Sequence, residues 1–208
     1  MRSLLLPLSI AICTGTFAQD NGFVSGTLGF DSHTIDNDGN FNDRTVTSGT
    51  FGPAIGFNLS PVHVVGIALT HSGTSTDYKI QAGNTTTEVT EKRSLTTIAP
   101  FYRYMKSVNE KFLLYGQFKA GFGFGKETTE AGTADTETKL STMDIRVGPG
   151  LVYVPAERWA LSADWGVLGY YNDKRTEEVA NDDVVTTTSG FQASLNLGAI
   201  TLALNWLF

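Results

Sequence analysis

Large apolar side chains alternate with small or polar ones along most of the chain, and a period of two residues is typical of β-strands. The last segment, residues 191–208, shows this most clearly. Its second half places large apolar residues at every other position, namely Ile200, Leu202, Leu204 and Trp206. Before Gly198 the apolar residues fall at odd positions instead, so an unbroken strand would turn its two halves to opposite faces. One extra residue at Gly198 or Ala199, a β-bulge, would restore the alternation.

Seven earlier segments alternate in the same way and are separated by turn-forming residues. With the last segment they predict eight strands, at residues 22–31, 50–59, 64–71, 95–105, 112–125, 143–154, 159–171 and 191–208. Short turns alternate strictly with long polar segments, which are predicted as loops over residues 33–44, 72–94, 126–139 and 172–188. In the seventh strand the alternation predicts Val167 on the apolar face and Leu168 on the opposite face.

Three of these strands repeat one pattern around a proline. Pro53, Pro100 and Pro149 lie 47 and 49 residues apart, the length of one pair of strands with its connections. Proline cannot donate a ladder hydrogen bond and usually marks an edge or a bulge. The repeat therefore predicts three local bulges at equivalent positions.

The amino terminus has the features of a secretory signal peptide. Arg2 is followed by an apolar run over residues 4–13 and by small residues that end at Ala18. We expect residues 1–18 to be removed between Ala18 and Gln19, which leaves one domain over residues 19–208. Cys13 raises the alternative of a lipoprotein anchor, but Ile12 stands where such an anchor requires a small residue. Because Cys13 is the only cysteine, the mature domain is expected to have no disulfide bond.

Charge and hydropathy narrow the fold class. The chain carries 15 Lys and Arg against 21 Asp and Glu, a net charge of -6, and lacks the basic cluster that a nucleic-acid partner would require. No apolar run after the leader reaches the ~20 residues of a spanning helix, but a spanning strand needs only about 10. An even number of strands with alternating short and long connections predicts an eight-stranded antiparallel up-and-down transmembrane β-barrel, with short periplasmic turns and long extracellular loops. The alternative is a soluble β-sandwich.

The mature chain resembles a family of small outer-membrane β-barrels, the one that contains OmpX and the transmembrane domain of OmpA, in its Bacteroidetes-type porin-family form. The segments that carry the resemblance are FGPAIGF, IAPFYRY, VGPGLVY, WALSADWGVLGY, the ending LALNWLF and the FAQ cleavage site. The resemblance implies a monomer in the cell outer membrane of a Gram-negative envelope, in contact with outer-membrane lipid and lipopolysaccharide. It also implies that the insertion machinery recognises the last strand, through a signal made of Leu202, Leu204, Trp206 and Phe208.

Polar residues on the predicted inner face form a candidate network in the lumen. It consists of Arg103, Tyr115, Gln117, Lys119, Asp144, Arg146 and Asp164. A barrel of eight strands is only just wide enough for its own side chains. Because unpaired buried charge is costly, we expect these groups to pair and to fill the lumen. The alternative is a polar conduit.

The sequence predicts no catalytic residue, no metal site and no cofactor. His71 and Ser72 are adjacent on one strand and so face opposite sides, whereas a nucleophile and its base must meet. The acidic run at residues 36–43 has enough oxygen atoms for calcium, but its glycine comes too early for an EF-hand loop. The expected function is a non-enzymatic structural and surface-interaction scaffold with a filled lumen and exposed loops. A small passive porin-like channel is the main alternative, and a lipid-modifying barrel enzyme is a third.

Overall fold

A computed structural model describes residues 21–35, 44–82, 85–131, 134–179, 182–194 and 200–208. The regular structure in these ranges is β-strand, and no helix among them is long and apolar enough to cross a membrane. The strands are β1 Gly22–Ile35, β2 Arg44–Ser60, β3 His63–Ala82, β4 Thr85–Ser107, β5 Phe112–Ala131, β6 Ala134–Ala156, β7 Trp159–Asp164, β8 Val167–Val179, β9 Asp182–Ser194 and β10 Thr201–Leu207.

The strands form a closed antiparallel ring. Each of β1 to β6 pairs with the strand that follows it in the sequence, and β7 pairs with β10. The ring closes where β10 pairs with β1, from Phe23 opposite Leu207 to Gly26 opposite Leu204. Eight strands make the ring, while β8 continues the line of β7 along β6 and pairs with β9. The predicted eight-stranded up-and-down topology is therefore confirmed.

The seventh predicted strand is divided at Gly166, which has a left-handed φ of 71°. Gly150 pairs with Asp164 below the break and Val147 pairs with Leu168 above it, so the seventh strand has one residue more than its partner. This extra residue reverses the alternation. Leu168, predicted on the inner face, is on the outer face and 63% exposed, so that prediction was wrong.

The last predicted strand is also divided, into β9 and β10. Outward residues are odd-numbered in β9, where Phe191 is 86% exposed, and even-numbered in β10, where Leu202 is exposed and Asn205 is buried. The alternation therefore reverses between the two strands. Gly198 and Ala199, where a bulge is predicted, lie outside the described residues.

The predicted proline bulges are only partly present. The register is the same on both sides of Pro53 and of Pro100. The β2–β3 ladder lacks pairs at Pro53 and the β4–β5 ladder lacks pairs at Pro100, because proline has no N–H to donate. Only beside Pro149 does the register shift, and the extra residue there belongs to the partner strand. Two of the three predicted bulges are thus wrong.

Three of the predicted long loops are mostly strand. The polar segments 72–94, 126–139 and 172–188 continue β3 to β6, β8 and β9 as paired hairpins. Their many threonines favour extended backbone. Ion pairs also connect the strands, including Lys79–Glu88 at 3.0 Å and Lys92–Glu130 at 2.6 Å. In the first predicted loop β1 extends to Ile35 and β2 begins at Arg44, and the acidic run 36–43 lies outside the described residues.

The outer surface is apolar and ends in an aromatic band beside the short turns. Phe51, Ile67, Ile98, Phe118, Phe122, Val147 and Leu161 are among its exposed residues. The band consists of neighbouring rings, namely Trp159–Trp206 (4.5 Å), Phe112–Tyr153 (4.8 Å), His63–Tyr104 (5.6 Å) and Phe57–Phe208 (6.3 Å) between centroids. A band of aromatic rings at the edge of an apolar belt is the arrangement of a membrane interface.

Candidate functional site: the barrel interior

The inner face is packed with side chains at the end of the ring that carries the short turns. Two clusters of buried residues lie there, Phe23 with Val64 and Phe101, and Tyr115 with Val152 and Ala160. Met105 and Leu207 pack against both clusters and join them. This end of the interior therefore has an apolar core, like the core of a soluble domain.

Arg103 lies at the centre of this packing. Its side chain is only 8% exposed, and its guanidinium carbon lies 5.1 Å, 5.0 Å and 4.7 Å from three ring centroids. These rings belong to Phe23, Phe101 and Tyr115. Its Nε donates a hydrogen bond to Gln117 Oε1 at 2.6 Å. Aromatic faces and an amide oxygen thus stabilise the buried cation.

Further side-chain hydrogen bonds connect strands on the inner face, one of them across the interior and the others between neighbouring strands. The hydroxyl of Tyr115 donates to Asp164 Oδ1 at 2.6 Å, from β5 to β7. Asn205 Nδ2, on β10, donates to Ala160 O at 3.1 Å and to Ser162 Oγ at 3.0 Å, both on β7. Together with Arg103, these contacts form what we call the plug.

A small cavity of about 200 Å³ remains at the short-turn end of the plug. Its walls are mostly apolar, and Arg103 and Asn205 line it. The Oδ1 atom of Asn205 is buried and has no hydrogen-bond partner among the described residues.

On the hairpin side of the plug the interior widens into a vestibule of about 690 Å³. Its lining includes Arg93, Thr97, Thr142, Asp144, Arg146, Tyr171, Asp173 and Gln192. Arg146 Nε and Asp144 Oδ2 form an ion pair at 2.8 Å, in which the arginine side chain is 54% exposed. The Arg146 side chain is therefore solvated, in contrast to the plug, whereas the Asp144 side chain is only 13% exposed.

Six of the seven residues predicted for the lumen network form three pairs, and two of these pairs meet where the ring of Tyr115 packs against Arg103. The three pairs are Arg103–Gln117, Tyr115–Asp164 and Asp144–Arg146. Lys119 lies directly opposite Arg146 across β5 and β6 and forms no direct hydrogen bond or ion pair with the described residues. The charged residues do not form one continuous network.

Several residues of the interior were not among those predicted for the lumen network. Phe23 and Phe101 are the aromatic partners of Arg103, and their inward position could have been read from the alternation. Arg93 and Asp173 lie in segments predicted as loops because those segments are polar, although Arg93 has the same parity as Arg103 on the same strand. Tyr171 is the last residue of the seventh predicted strand.

The residues considered for catalysis do not meet, and the acidic run 36–43 that was considered for calcium lies outside the described residues. His71 Nδ1 lies 2.9 Å from Thr96 Oγ1, and the adjacent Ser72 belongs to the other face of β3. No group of three His, Cys, Asp or Glu side chains that could hold a metal ion is found in the part of the chain that the structure describes.

Comparison with known proteins identifies the family. A model of the outer membrane protein beta-barrel domain matches residues 4–198, nearly the whole chain. The chain belongs to this family. It is a protein of the outer membrane, and the family agrees with the closed ring and the apolar outer surface.

Solved structures of two outer-membrane proteins are similar to this outer-membrane barrel. Neisserial surface protein A (NspA) is 13% identical with a TM-score of 0.45, and the match covers 90% of this chain and 97% of that one. A major outer membrane protein from Thermus thermophilus is 14% identical with a TM-score of 0.46, over 90% of this chain and 99% of that one. No curated protein sequence matches the chain.

Proposed function

We propose that this barrel is a non-enzymatic scaffold that closes its own lumen and displays rigid β-hairpins on the cell surface. It acts as a monomer in contact with outer-membrane lipid and lipopolysaccharide, after export and removal of residues 1–18. The observation that carries the proposal is the combination of the buried plug with strands that continue as paired sheet beyond the apolar belt.

The hairpins are held together by polar contacts from strand to strand. Lys126–Glu137 at 3.3 Å joins β5 to β6, and Glu127–Arg175 at 3.0 Å joins β5 to β8. Tyr78 donates to Glu91 Oε1 at 2.8 Å, and this hydrogen bond raises the pKa of Tyr78. Individual exposed ion pairs contribute only about 0–1 kcal/mol, but a connected series limits the movement of neighbouring strands.

The hairpin of β8 and β9 offers the most accessible surface for an interaction. All eight residues from Asp182 to Ser189 are exposed, so both faces of β9 are open to solvent there. Val184 and Val185 are neighbours on opposite faces and are 51% and 50% exposed. An exposed strand with apolar side chains is a surface to which other polypeptides can bind.

The second candidate is a small passive channel, because the vestibule already occupies the outer part of the lumen. A channel would require a path past Arg103, which is packed against three rings and bonded to Gln117. The packing around Arg103 therefore favours a scaffold with a closed lumen over a passive channel.

Cysteine labelling and truncation test the scaffold. In intact cells a membrane-impermeant maleimide should label Thr186→Cys on β9, whereas Asn109→Cys in the turn after β4 should react only after the cells are opened. Replacing residues 174–187 by a short turn should leave the barrel folded, because ring closure uses β7 and β10. Cells with this truncation should attach less to immobilised extracellular proteins than cells with the intact chain. Equal attachment, or labelling with the opposite sidedness, would contradict the proposal.

We also propose that the insertion machinery recognises the carboxyl-terminal strand through Leu202, Leu204, Trp206 and Phe208. The support is the position of this strand at ring closure. The backbone oxygen of Phe208 accepts from the N–H groups of Asn21 (2.6 Å) and Gly22 (2.9 Å).

A further inference from the structure

The two strands that close the ring separate on the hairpin side of Gly26. The β1–β10 ladder runs from Phe23–Leu207 to Gly26–Leu204 and ends there. Both strands nevertheless continue, since β10 pairs with β7 as far as Thr201 and β1 pairs with β2 as far as Ile35. Further toward the hairpins, β9 pairs only with β8 among the described strands. The wall therefore has a crevice beside β1.

Backbone groups at the edge of β1 face this crevice. Gly22 and Phe208 exchange backbone hydrogen bonds, so the even-numbered residues of β1 are the ones that bond to the last strand. The next such residues, Leu28 and Phe30, lie beyond the end of the ladder and have no partner on β10. Leu28 pairs with Phe51 of the apolar belt, so this edge is at membrane depth. Unpaired backbone groups are tolerated there only where they are covered or line a polar cavity.

The crevice extends from the interior to the lipid-facing surface. Its volume is about 240 Å³, and it is lined by the outward Phe30 and by Thr27, Gly29, Asp31, Ser48, Thr50 and Thr201. Phe30 is 68% exposed, and Phe191 on β9, which borders the vestibule, is 86% exposed. These are the two most exposed large apolar side chains in the described ranges. A polar inner side and an apolar outer side suit an amphiphilic ligand.

The polar side of the crevice selects the head group. The hydroxyls of Ser48 and Thr50 form no side-chain hydrogen bond with the described residues, whereas Thr27 donates to Gly52 O at 3.2 Å. Asp31, whose Oδ2 lies 2.8 Å from His33 Nδ1, accepts hydrogen bonds and repels an anion. These groups fit a head that carries hydroxyls and no negative charge.

We propose that the crevice between β1 and β10 binds a single-chain amphiphile with an uncharged, hydroxyl-bearing head, which enters sideways from the membrane on the hairpin side. The head lies among Asp31, Ser48 and Thr50 and accepts hydrogen bonds from the edge of β1. The acyl chain passes Phe30 and continues along the apolar belt. The plug takes no part, so the lumen stays closed.

A spin-labelled monoacylglycerol tests this site. The full mature chain in phosphatidylcholine nanodiscs is titrated with a monoacylglycerol that carries a nitroxide on its chain, and amide NMR signals are recorded. The signals of Leu28, Phe30 and Thr201 should broaden first and saturably, whereas that of Phe118, on the opposite side of the ring, should not. Nitroxide-labelled phosphatidylglycerol, which is anionic, should show no such preference. Equal broadening around the belt, or an equal preference for the anionic lipid, would overturn the inference.

Thr50→Val replaces one hydroxyl of the crevice by a methyl group. It should weaken binding roughly threefold to tenfold, the usual effect of one hydrogen bond. Thr70→Val is the matched control, because Thr70 is an inward threonine on β3 that does not line the crevice. It should leave binding unchanged. Equal effects of the two substitutions would be incompatible with the proposed position of the head.

Disulfide formation tests the separation of the strands without any ligand, since residues 19–208 contain no cysteine. Gly26→Cys with Leu204→Cys, the last pair of the ladder, should oxidise readily. Leu28→Cys with Leu202→Cys, the next pair that a continuous ladder would form, should stay reduced. Equal crosslinking of both pairs would show a continuous wall and overturn the inference. These outcomes are independent of the scaffold proposal, which requires no ligand.

Discussion

The hydroxyl of Tyr115 donates a 2.6 Å hydrogen bond to Asp164, a residue 49 positions later in the chain and two strands away around the ring. Tyr115 is also one of the rings that enclose Arg103. The buried side chain of Tyr115 therefore connects the cation of the plug to a carboxylate on β7. Closure of the lumen thus depends on contacts between residues that are far apart in the sequence.

Tyr115→Phe should lower the free energy of unfolding by about 1.5–3 kcal/mol, because a hydrogen bond to a charged group is lost and Asp164 remains without its donor. Urea unfolding in lipid vesicles measures this. In the double variant with Asp164→Asn the additional cost of Tyr115→Phe should be smaller. A Tyr115→Phe barrel as stable as the wild type would show that the hydrogen bond is not made.

Arg103→Ala and Arg146→Ala should differ, although both remove an inward arginine. Arg103 is 8% exposed and packs against three rings, so its loss leaves a cavity in the plug and should lower stability by several kcal/mol. The Arg146 side chain is 54% exposed and its loss leaves no comparable cavity, although its partner Asp144 is only 13% exposed, so its loss should lower stability less than the loss of Arg103 does. Equal effects in urea unfolding would argue against the distinction between plug and vestibule.

Val147→Arg should destabilise the folded barrel in lipid by about 2–4 kcal/mol, the usual effect of a cation near the bilayer midplane. Val147 is outward, 48% exposed, and lies between Phe118 and Leu168 in the middle of the apolar belt. Leu161→Arg should cost less, since Leu161 is only two residues from the aromatic band at Trp159. The reverse order in refolding experiments would mean that the belt is misplaced.

Gly166→Ala should destabilise the barrel by roughly 1–2 kcal/mol, because a side chain is unfavourable at a φ of 71°. Gly116→Ala is a suitable control, since a Cβ at that position meets no atom within 4 Å. Thermal unfolding followed by the gel mobility of the folded form compares the two. Similar behaviour of both variants would contradict the left-handed conformation of Gly166.

Phe208→Ala should reduce the amount of barrel inserted in cells while it changes refolding in detergent much less. The substitution keeps the backbone hydrogen bonds of residue 208 to Asn21 and Gly22 and removes only the ring beside Phe57. Quantifying the outer-membrane fraction against the refolded yield separates the two effects. Unchanged insertion in cells would exclude the terminal ring as a recognition element.

Alternation within single strands was sufficient to predict the ring and most of its faces. Ile98 outward and Arg103 inward follow directly from the period of two, and both positions agree with the structure. The exposed Leu168 could not be predicted, because its orientation depends on one extra residue near Gly166 that the local pattern does not show. The hairpins were predicted as loops because their polar composition hides strands that are stabilised by cross-strand pairing.

The interior was harder to predict than the wall. Inward parity selects candidates such as Arg103 and Lys119, but it does not determine which partner each will have. Arg103 is stabilised mainly by aromatic faces and not by a carboxylate, since rings from β1, β4 and β5 meet around it. Contacts of this kind depend on the curvature of the ring and the length of the side chains.

Single-channel recording of the refolded wild-type barrel in a planar lipid bilayer tests the closed lumen most directly. The packing around Arg103 predicts no stable conductance from the wild type, and the appearance of a leak in Arg103→Ala but not in Arg146→Ala. Stable, ohmic current steps from the unmodified barrel would contradict the closed lumen and support a passive channel.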